Sequence, residues 1–368
     1  MQHSRVSHAG EKDIRILYFY TRDASFIRKD LEMLRSRYGV TECAFPAPEK
    51  WKLPLLFIIQ FVFLLKNSLK GGRFMVMSQF AGYHSFLPCL WARFSGRKSI
   101  IVVGGTDCVS FPSLGYGHFQ NRLLSIFTRW SYKLCDTVSA VHESLFYREN
   151  PYAGASESRQ GILHFMPDAT FNRNVIFNGF DTSIFRISTS WQERRQLSFI
   201  SISASLTDSV RMRLKGIDLV LELARCMPEA HFTLVGGDRT SPEELPQNVR
   251  ILPYIPNGEL PEIYNQHRFY LQLSMSEGFP NALCEAMACG CVPVVSAVAS
   301  MPEIVDDLGG IAAERKLASV RDAVSFAIGK STESNLPQRI SESIRLRYSY
   351  ENRREKLLEL ISKTAKNL

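Results

Sequence analysis

Short apolar runs recur along this chain, separated by stretches whose apolar positions return every three or four residues. IRILYFY (14–20) reads as a buried strand, and SFIRKDLEMLRSRYG (25–39) after it carries helical spacing. FMVMSQ (74–79), SIIVVGG (99–105) and TVSAVH (137–142) are further strands, with FQNRLLSIFTRWSYKLC (119–135) among the intervening helices. NVIFNGFDTSIFR (174–186) closes this first succession. It then restarts with SFISISAS (198–205), a helix at KGIDLVLELARCM (215–227), HFTLVGG (231–237) and VRILPYI (249–255). A helix near ELPEIYNQH and the strands LQLSMS (271–276) and CVPVVSA (291–297) follow. Strands that are apolar throughout, alternating with helices, predict parallel sheets covered on both faces. Two such successions in 368 residues predict two doubly wound α/β domains facing a central cleft.

Composition adds little, but the placement of charge adds much. An apolar content of 45% and a charged content of 22% are those of an ordinary globular protein. The net charge of +8 lies in residues 1–185, whereas 186–368 is neutral. Residues 50–106 hold eight basic side chains (Lys50, Lys52, Lys66, Lys70, Arg73, Arg93, Arg97, Lys98) and no acid. Among them runs LPLLFIIQFVFLL (53–65), too short to span a bilayer. It predicts a helix that packs in a core, or one that turns an apolar and basic face to an anionic membrane across 50–98, and one helix can do both. No nucleic-acid-binding motif accompanies the charge. The eight cysteines show no CxxC pair and no metal spacing, as expected of buried thiols in a reducing compartment. The polar opening MQHSRVSHAGEKD has no apolar signal core, which predicts a cytoplasmic protein.

The chemistry concentrates in EGFPNALCEAMACGCVPVVSAVASMPEIV (277–305). A strand leads into a tight turn, Pro280 suits the first helical position, 282–288 favours helix and Gly290 suits its stop. The turn Gly278, Phe279, Pro280, Asn281 and Ala282 then places backbone N–H groups, Pro280 having none, and a positive helix end at the carboxyl edge of a sheet, where a phosphate binds. Glu277 and Glu285 flank that position and can each accept a pair of sugar hydroxyls. A diphosphate flanked by two sugars is a nucleotide sugar. Lys215, at the start of another helix on the same edge, can reach the phosphates. The chain contains no D-x-D pair for a divalent metal, so lysine and N–H groups are expected to neutralise the diphosphate without metal or cofactor.

In its full context this stretch resembles the E-x7-E signature of retaining GT-B glycosyltransferases of family 4. The likeness implies two Rossmann-like domains, 1–180 for the acceptor and 181–345 for the nucleotide sugar. It also implies a terminal helix, 346–368, that crosses back to the first domain, around YSYENRREKLLELIS (348–362). VIFNGFDTSIF resembles the family's interdomain segment, LKGIDLVLELA (214–224) its KG helix and HFTLVGGD the strand whose glycines, Gly236 and Gly237, admit the nucleotide. By this resemblance Glu277 contacts the transferred sugar, Glu285 the ribose, Lys215 the diphosphate and Tyr254, in NVRILPYIP, the base. On the acceptor side Asp107, in VVGGTD, is the best polar candidate, with loop capping as its alternative, and His142 follows another strand. The implied activity is transfer of a hexosyl or N-acetylhexosaminyl unit, preferably from a UDP sugar, to a saccharide or lipid-linked acceptor. The implied setting is polysaccharide synthesis at the inner face of the membrane.

Three positions depart from the family pattern. Ser205 stands where an arginine is usual, and Arg211 or Arg213 in the longer loop 206–214 can replace it. YTRDASF after the first strand lacks the usual glycine pair. Ala299 and Ser300 replace the glycines before PEIV. A non-catalytic, nucleotide-sugar-binding component of a glycan assembly complex and a GT-B-fold sugar epimerase are the alternative functions. Cys284, Cys289 and Cys291 flank the site and are expected to pack it.

Overall fold

The computed structural model describes residues 14–46, 49–203, 206, 208–237 and 245–366. The polar opening and Ser205 lie outside them, as does the side chain of Lys50. Two units form. The first comprises the described residues up to Tyr147, then Gln160–Phe177 and the chain from Glu351 onward; the second comprises Arg148–Arg159 and Asn178–Tyr350.

In chain order the strands are β1 (Ile14–Tyr20), β2 (Gly39–Ala44), β3 (Arg73–Gln79), β4 (Ser99–Val103), β5 (Thr137–Ala140), β6 (Arg148–Glu149), β7 (Arg159–Gln160) and β8 (Asn172–Val175). They continue with β9 (Ser198–Ile202), β10 (His231–Gly237), β11 (Val249–Pro253), β12 (Phe269–Gln272), β13 (Val292–Ser296) and β14 (Gly310–Ala312). The first unit's sheet has the order β2-β1-β3-β4-β5-β8 and the second's β11-β10-β9-β12-β13-β14. Every strand pair in both is parallel. In each sheet the chain steps outward one way, returns to the starting strand and steps out the other way. That reversal leaves a crevice at the carboxyl ends of the two central strands, β1 and β3 in one unit and β9 and β12 in the other. This doubly wound architecture, in both halves, is the one the sequence predicts.

The centre of the second sheet is an aromatic layer. Phe199 stacks on Phe232 at 5.0 Å and on Phe269 at 4.9 Å, one ring from each of three adjacent strands. In the first unit the terminal helix Tyr350–Ala365 is fastened by Arg353, whose fork donates two 2.7 Å bonds to Asp30 on helix Ser25–Arg35. Both side chains are buried, and Arg353 also donates to the carbonyls of Ile176 and Phe177. A buried pair satisfied at both ends holds its elements firmly, because losing one partner strands a charge at a cost of about 3–5 kcal/mol.

Several boundaries move from the sequence reading. The helix expected over 25–39 stops at Arg35, and β2 follows at the sheet edge, where its residues are half exposed. The strand expected over 271–276 is Phe269–Gln272, and the helix expected from 119 begins at Arg122. The helix expected over 215–227 is two helices, Ser209–Lys215 and Ile217–Cys226, broken at Gly216. Pro280 precedes helix Asn281–Ala288 as its N-cap residue and is not its first residue, whereas Gly290 takes the left-handed stop at φ 80°.

Candidate active site

The two central strands of the second unit deliver the two charged residues. After β9 the chain enters helix Ser209–Lys215, capped by Asp208, whose carboxylate accepts from the N–H groups of Val210 and Arg211. After β12 it enters the loop carrying Glu277. The two segments touch: Met275 N–H donates to Leu214 O at 2.8 Å, and a Cβ on Gly216 would come within 2.1 Å of Leu273 O. Gly216 has φ 70°, so close approach and backbone conformation both demand glycine there. Lys215 Nζ consequently lies 2.7 Å from Glu277 Oε1. Gln272 Nε2 donates to the same oxygen at 2.8 Å, and Tyr270 OH donates to Gln272 Oε1. Among the described residues both contacts with the Glu277 carboxylate fall on Oε1, so Oε2 can accept from a ligand hydroxyl. Glu277 is 9% exposed and Lys215 about a third, so the lysine can turn outward while the carboxylate stays fixed.

Glu285 lies on helix Asn281–Ala288 and is buried; its Oε1 accepts from Asn257 Nδ2 at 2.9 Å. At the start of that helix Asn281 Oδ1 accepts from Asn178 Nδ2 at 2.8 Å. Phe279 is held in the turn by Phe180, stacked at 6.2 Å, and by Tyr348, edge-on at 5.4 Å. The interdomain segment 178–180 thus braces the turn that carries the N–H groups.

Residues 148–159 supply a contact that sequence reasoning missed. Buried Arg148 donates to the carbonyl of Glu277 at 2.9 Å and to Ser276 Oγ at 3.0 Å. Asn150 Nδ2 donates to Met275 O at 2.9 Å, and Ser296 Oγ donates to Ser274 O at 2.6 Å. These donors satisfy the carbonyls of a buried loop that has left its sheet. The only signal in the sequence was a polar run, RENPYAGASESR, where the alternation calls for a helix.

Other candidates take varied places. Gly236, at φ 104°, sits at the irregularity that shifts the β10–β11 register between Val235 and Gly237. Tyr254 is 76% exposed beyond β11. Arg211 is exposed and paired with Asp208 at 3.4 Å, and Arg213 is exposed while its carbonyl accepts from Arg315. Ala299 adopts φ 52°, a left-handed conformation that glycine would hold without strain, and Ser300 Oγ is buried with no hydrogen-bond partner among the described residues. Burial pushes the Cys291 thiol up to about 12 and raises those of Cys284 and Cys289, so these sulfurs pack as neutral thiols. In the first unit Asp107 is fully buried. Its carboxylate accepts from Ala81 N–H at 2.9 Å, Gly105 N–H at 3.2 Å and Tyr132 OH at 3.1 Å, which is the loop-capping alternative and not an open acceptor site. His142 Nδ1 lies 2.9 Å from Ser144 Oγ, and its ring stacks on Phe177.

Residues 209–347 match the family model glycosyl transferases group 1. Over 108 residues the chain is 34% identical to O-antigen chain mannosyltransferase B of Escherichia coli, covering 28% of this chain and 27% of that protein. Over 260 residues it is 29% identical to a component of human phosphatidylinositol N-acetylglucosaminyltransferase, covering 66% and 49%. The chain thus spans half or less of the length of these two relatives. Its fold is that of sucrose-phosphate synthase from Thermosynechococcus elongatus, with a TM-score of 0.67 at 14% identity over 95% of this chain and 98% of that one. Anabaena HepE, solved in complex with UDP, has a TM-score of 0.66 at 14% identity over 95% and 100%. The family match over residues 209–347, on a fold shared along nearly the whole chain, supports a GT-B glycosyltransferase.

Proposed function

We propose that this chain is a retaining glycosyltransferase of family 4 that moves a hexosyl or N-acetylhexosaminyl unit from a UDP sugar to a saccharide or lipid-linked acceptor. The observation that carries the reading is the Lys215–Glu277 pair, held at 2.7 Å where two central strands end and beside a helix N-terminus. The donor diphosphate takes backbone N–H groups at the start of helix Asn281–Ala288 and the ammonium of Lys215, which leaves Glu277 as the phosphate arrives. Glu277 Oε2 accepts a hydroxyl of the sugar to be transferred, and Glu285 accepts the ribose hydroxyls. Acceptor oxygen attacks on the face from which the diphosphate departs. The C1–O bond to phosphate breaks, a C1–O bond to the acceptor forms, and the acceptor proton passes to the leaving phosphate oxygen. Positive charge and N–H donors fixed before the reaction stabilise that developing negative charge without reorganisation. With no D-x-D in the sequence, lysine and backbone serve in place of a divalent metal.

HepE, a neighbour of the same fold, has been solved with UDP-glucose, which supports a UDP donor. The Escherichia coli relative is named a mannosyltransferase, so GDP-mannose is the second donor to try. The acceptor is met in the cytoplasm at an anionic membrane surface, against residues 50–98. A thermal-shift and product screen of UDP, GDP and ADP sugars tests the donor. Stabilisation and turnover with a UDP sugar are expected. Stabilisation without transfer to any acceptor would favour the non-catalytic binding component, and release of a free altered sugar would favour an epimerase. No response to any nucleotide sugar would refute the site.

A further inference from the structure

Helix Leu53–Leu69 is inside out. Its buried residues are Leu53, Gln60, Leu64 and Asn67, two of them polar amides. Its outer face carries Leu55, Ile58, Ile59, Val62, Leu65 and Leu69, between 40% and 78% exposed. These recur at three- and four-residue steps, so they form one continuous stripe opposite the buried side. Gln60 Nε2 donates to His84 O at 2.7 Å and Asn67 Nδ2 to Phe63 O at 2.8 Å, while Leu64 enters the core with Leu17, Phe19 and Phe74. The helix is therefore docked through a narrow seam, and its larger apolar surface faces outward.

A second helix extends the stripe. Arg122–Leu134 exposes Leu123, Ile126 and Trp130 at helical spacing. It meets the first helix through a chain of rings: Phe57 stacks on Phe127 at 5.5 Å, and Phe86 contacts Trp130 at 5.4 Å. Phe86 comes from the intervening helix Tyr83–Phe94, whose Phe94 is 84% exposed. None of the three helices contains an acidic residue, whereas Lys66, Lys70, Arg93, Arg122 and Lys133 stand exposed on or beside them. Among the described residues no helix is long and apolar enough to cross a membrane.

We infer that Leu53–Leu69 and Arg122–Leu134 together form a monotopic insertion surface that lies flat in the headgroup layer of an anionic bilayer. This rests on the proposed lipid-side acceptor but specifies more: the attachment is apolar insertion by two helices, with the cations reading anionic headgroups. The charge selects this occupant. A second copy of the chain would bring the same cations against themselves, while anionic lipid neutralises them and takes the apolar side chains about 5–10 Å deep. Long lysine stems on the stripe can reach back to the headgroups.

Sedimentation with vesicles of phosphatidylglycerol and phosphatidylcholine, against phosphatidylcholine alone, tests it. Wild-type protein should bind the anionic vesicles, and added salt should weaken binding without abolishing it, since insertion is unscreened. Ile58→Ser with Val62→Ser should lower vesicle affinity at least about tenfold, and so should Ile126→Ser with Trp130→Ser. Lys66→Gln with Lys70→Gln should lower it on anionic vesicles only. Thermal shift by UDP on the same samples reports the donor site separately, and every variant should keep it. Failure of wild-type protein to sediment at low salt, wild-type affinity in both apolar variants, or a dimer by light scattering that the serine variants dissolve would overturn the inference. Loss of the UDP response in wild type with vesicle binding intact would instead refute the donor-site reading.

Discussion

The two glutamates should separate cleanly on substitution. In Glu277→Gln the amide can keep the contact from Gln272 Nε2 and loses its attraction for Lys215. Two unit charges about 4 Å apart interact by ~4 kcal/mol at an effective dielectric of 20 and ~1 kcal/mol in water. Because Lys215 is about a third exposed, the lower end applies, roughly 1–2 kcal/mol after screening. That energy opposes the move of Lys215 onto a diphosphate, so releasing it leaves UDP affinity unchanged or a few-fold tighter. Transfer falls because a charged acceptor to the moving sugar is gone, a loss of about 1.5–3 kcal/mol or ten- to a hundredfold in turnover. Glu285→Gln acts oppositely. Asn257 already donates to Oε1, so the new amide must offer its oxygen there and present N–H groups to ribose hydroxyls. UDP affinity should then fall by the same ten- to hundredfold. Calorimetric titration with UDP, and UDP release from the donor that the screen identifies, read the two quantities. Equal losses of UDP affinity in both variants would refute this division of roles.

Lys215→Ala should lower turnover by about a hundredfold or more, with smaller losses for Arg211→Ala and Arg213→Ala, while EDTA leaves the wild type unaffected; abolition by EDTA and rescue by Mg²⁺ would contradict the metal-free leaving group. Arg148→Ala should lower turnover about tenfold or more with UDP affinity within about threefold, because a loosened Glu277 carbonyl misplaces the carboxylate and not the phosphate donors; a fall in melting temperature alone, with normal turnover, would make Arg148 merely structural. Burial pushes His84 down to about 4 from 6.5, with its Nε2 2.6 Å from Gln79 O, so the folded state favours the neutral ring. Stability from this group is present above pH 6.5 and lost as pH falls toward 4, about 2 kcal/mol between pH 7 and pH 5. Urea unfolding at both pH values should show that loss and His84→Gln should shrink it; equal wild-type stability at the two would exclude it.

What the sequence made legible at this site was whatever depends on neighbours along the chain. Gly290 could be read as a helix stop because its left-handed turn is a local demand, whereas Gly216 was read inside one helix because Leu273 O, whose approach demands glycine there, comes from a segment distant in sequence. The strand before Glu277 was read as too long for an instructive reason. LSMS (273–276) is apolar or small and buried, as a strand interior is, but its backbone bonds run to the Leu214 carbonyl and to the side chains of Asn150 and Ser296 instead of to the backbone of a neighbouring strand. Apolar periodicity reports burial, not the partner of each carbonyl. β2 was missed for the converse reason: GVTECA lies half exposed at an edge and lacks an apolar run. Arg148 was beyond reach altogether, since its partner Glu277 is 129 positions away and nothing local marks the pair. The same distinction explains helix 53–69. Its apolar residues announced a helix, but only the buried amides of Gln60 and Asn67 reveal which side faces the core. That helix is therefore anchored to the first unit through Leu64 in the core and the bond from Gln60 to His84 O. Its apolar side is left for a surface that water does not supply.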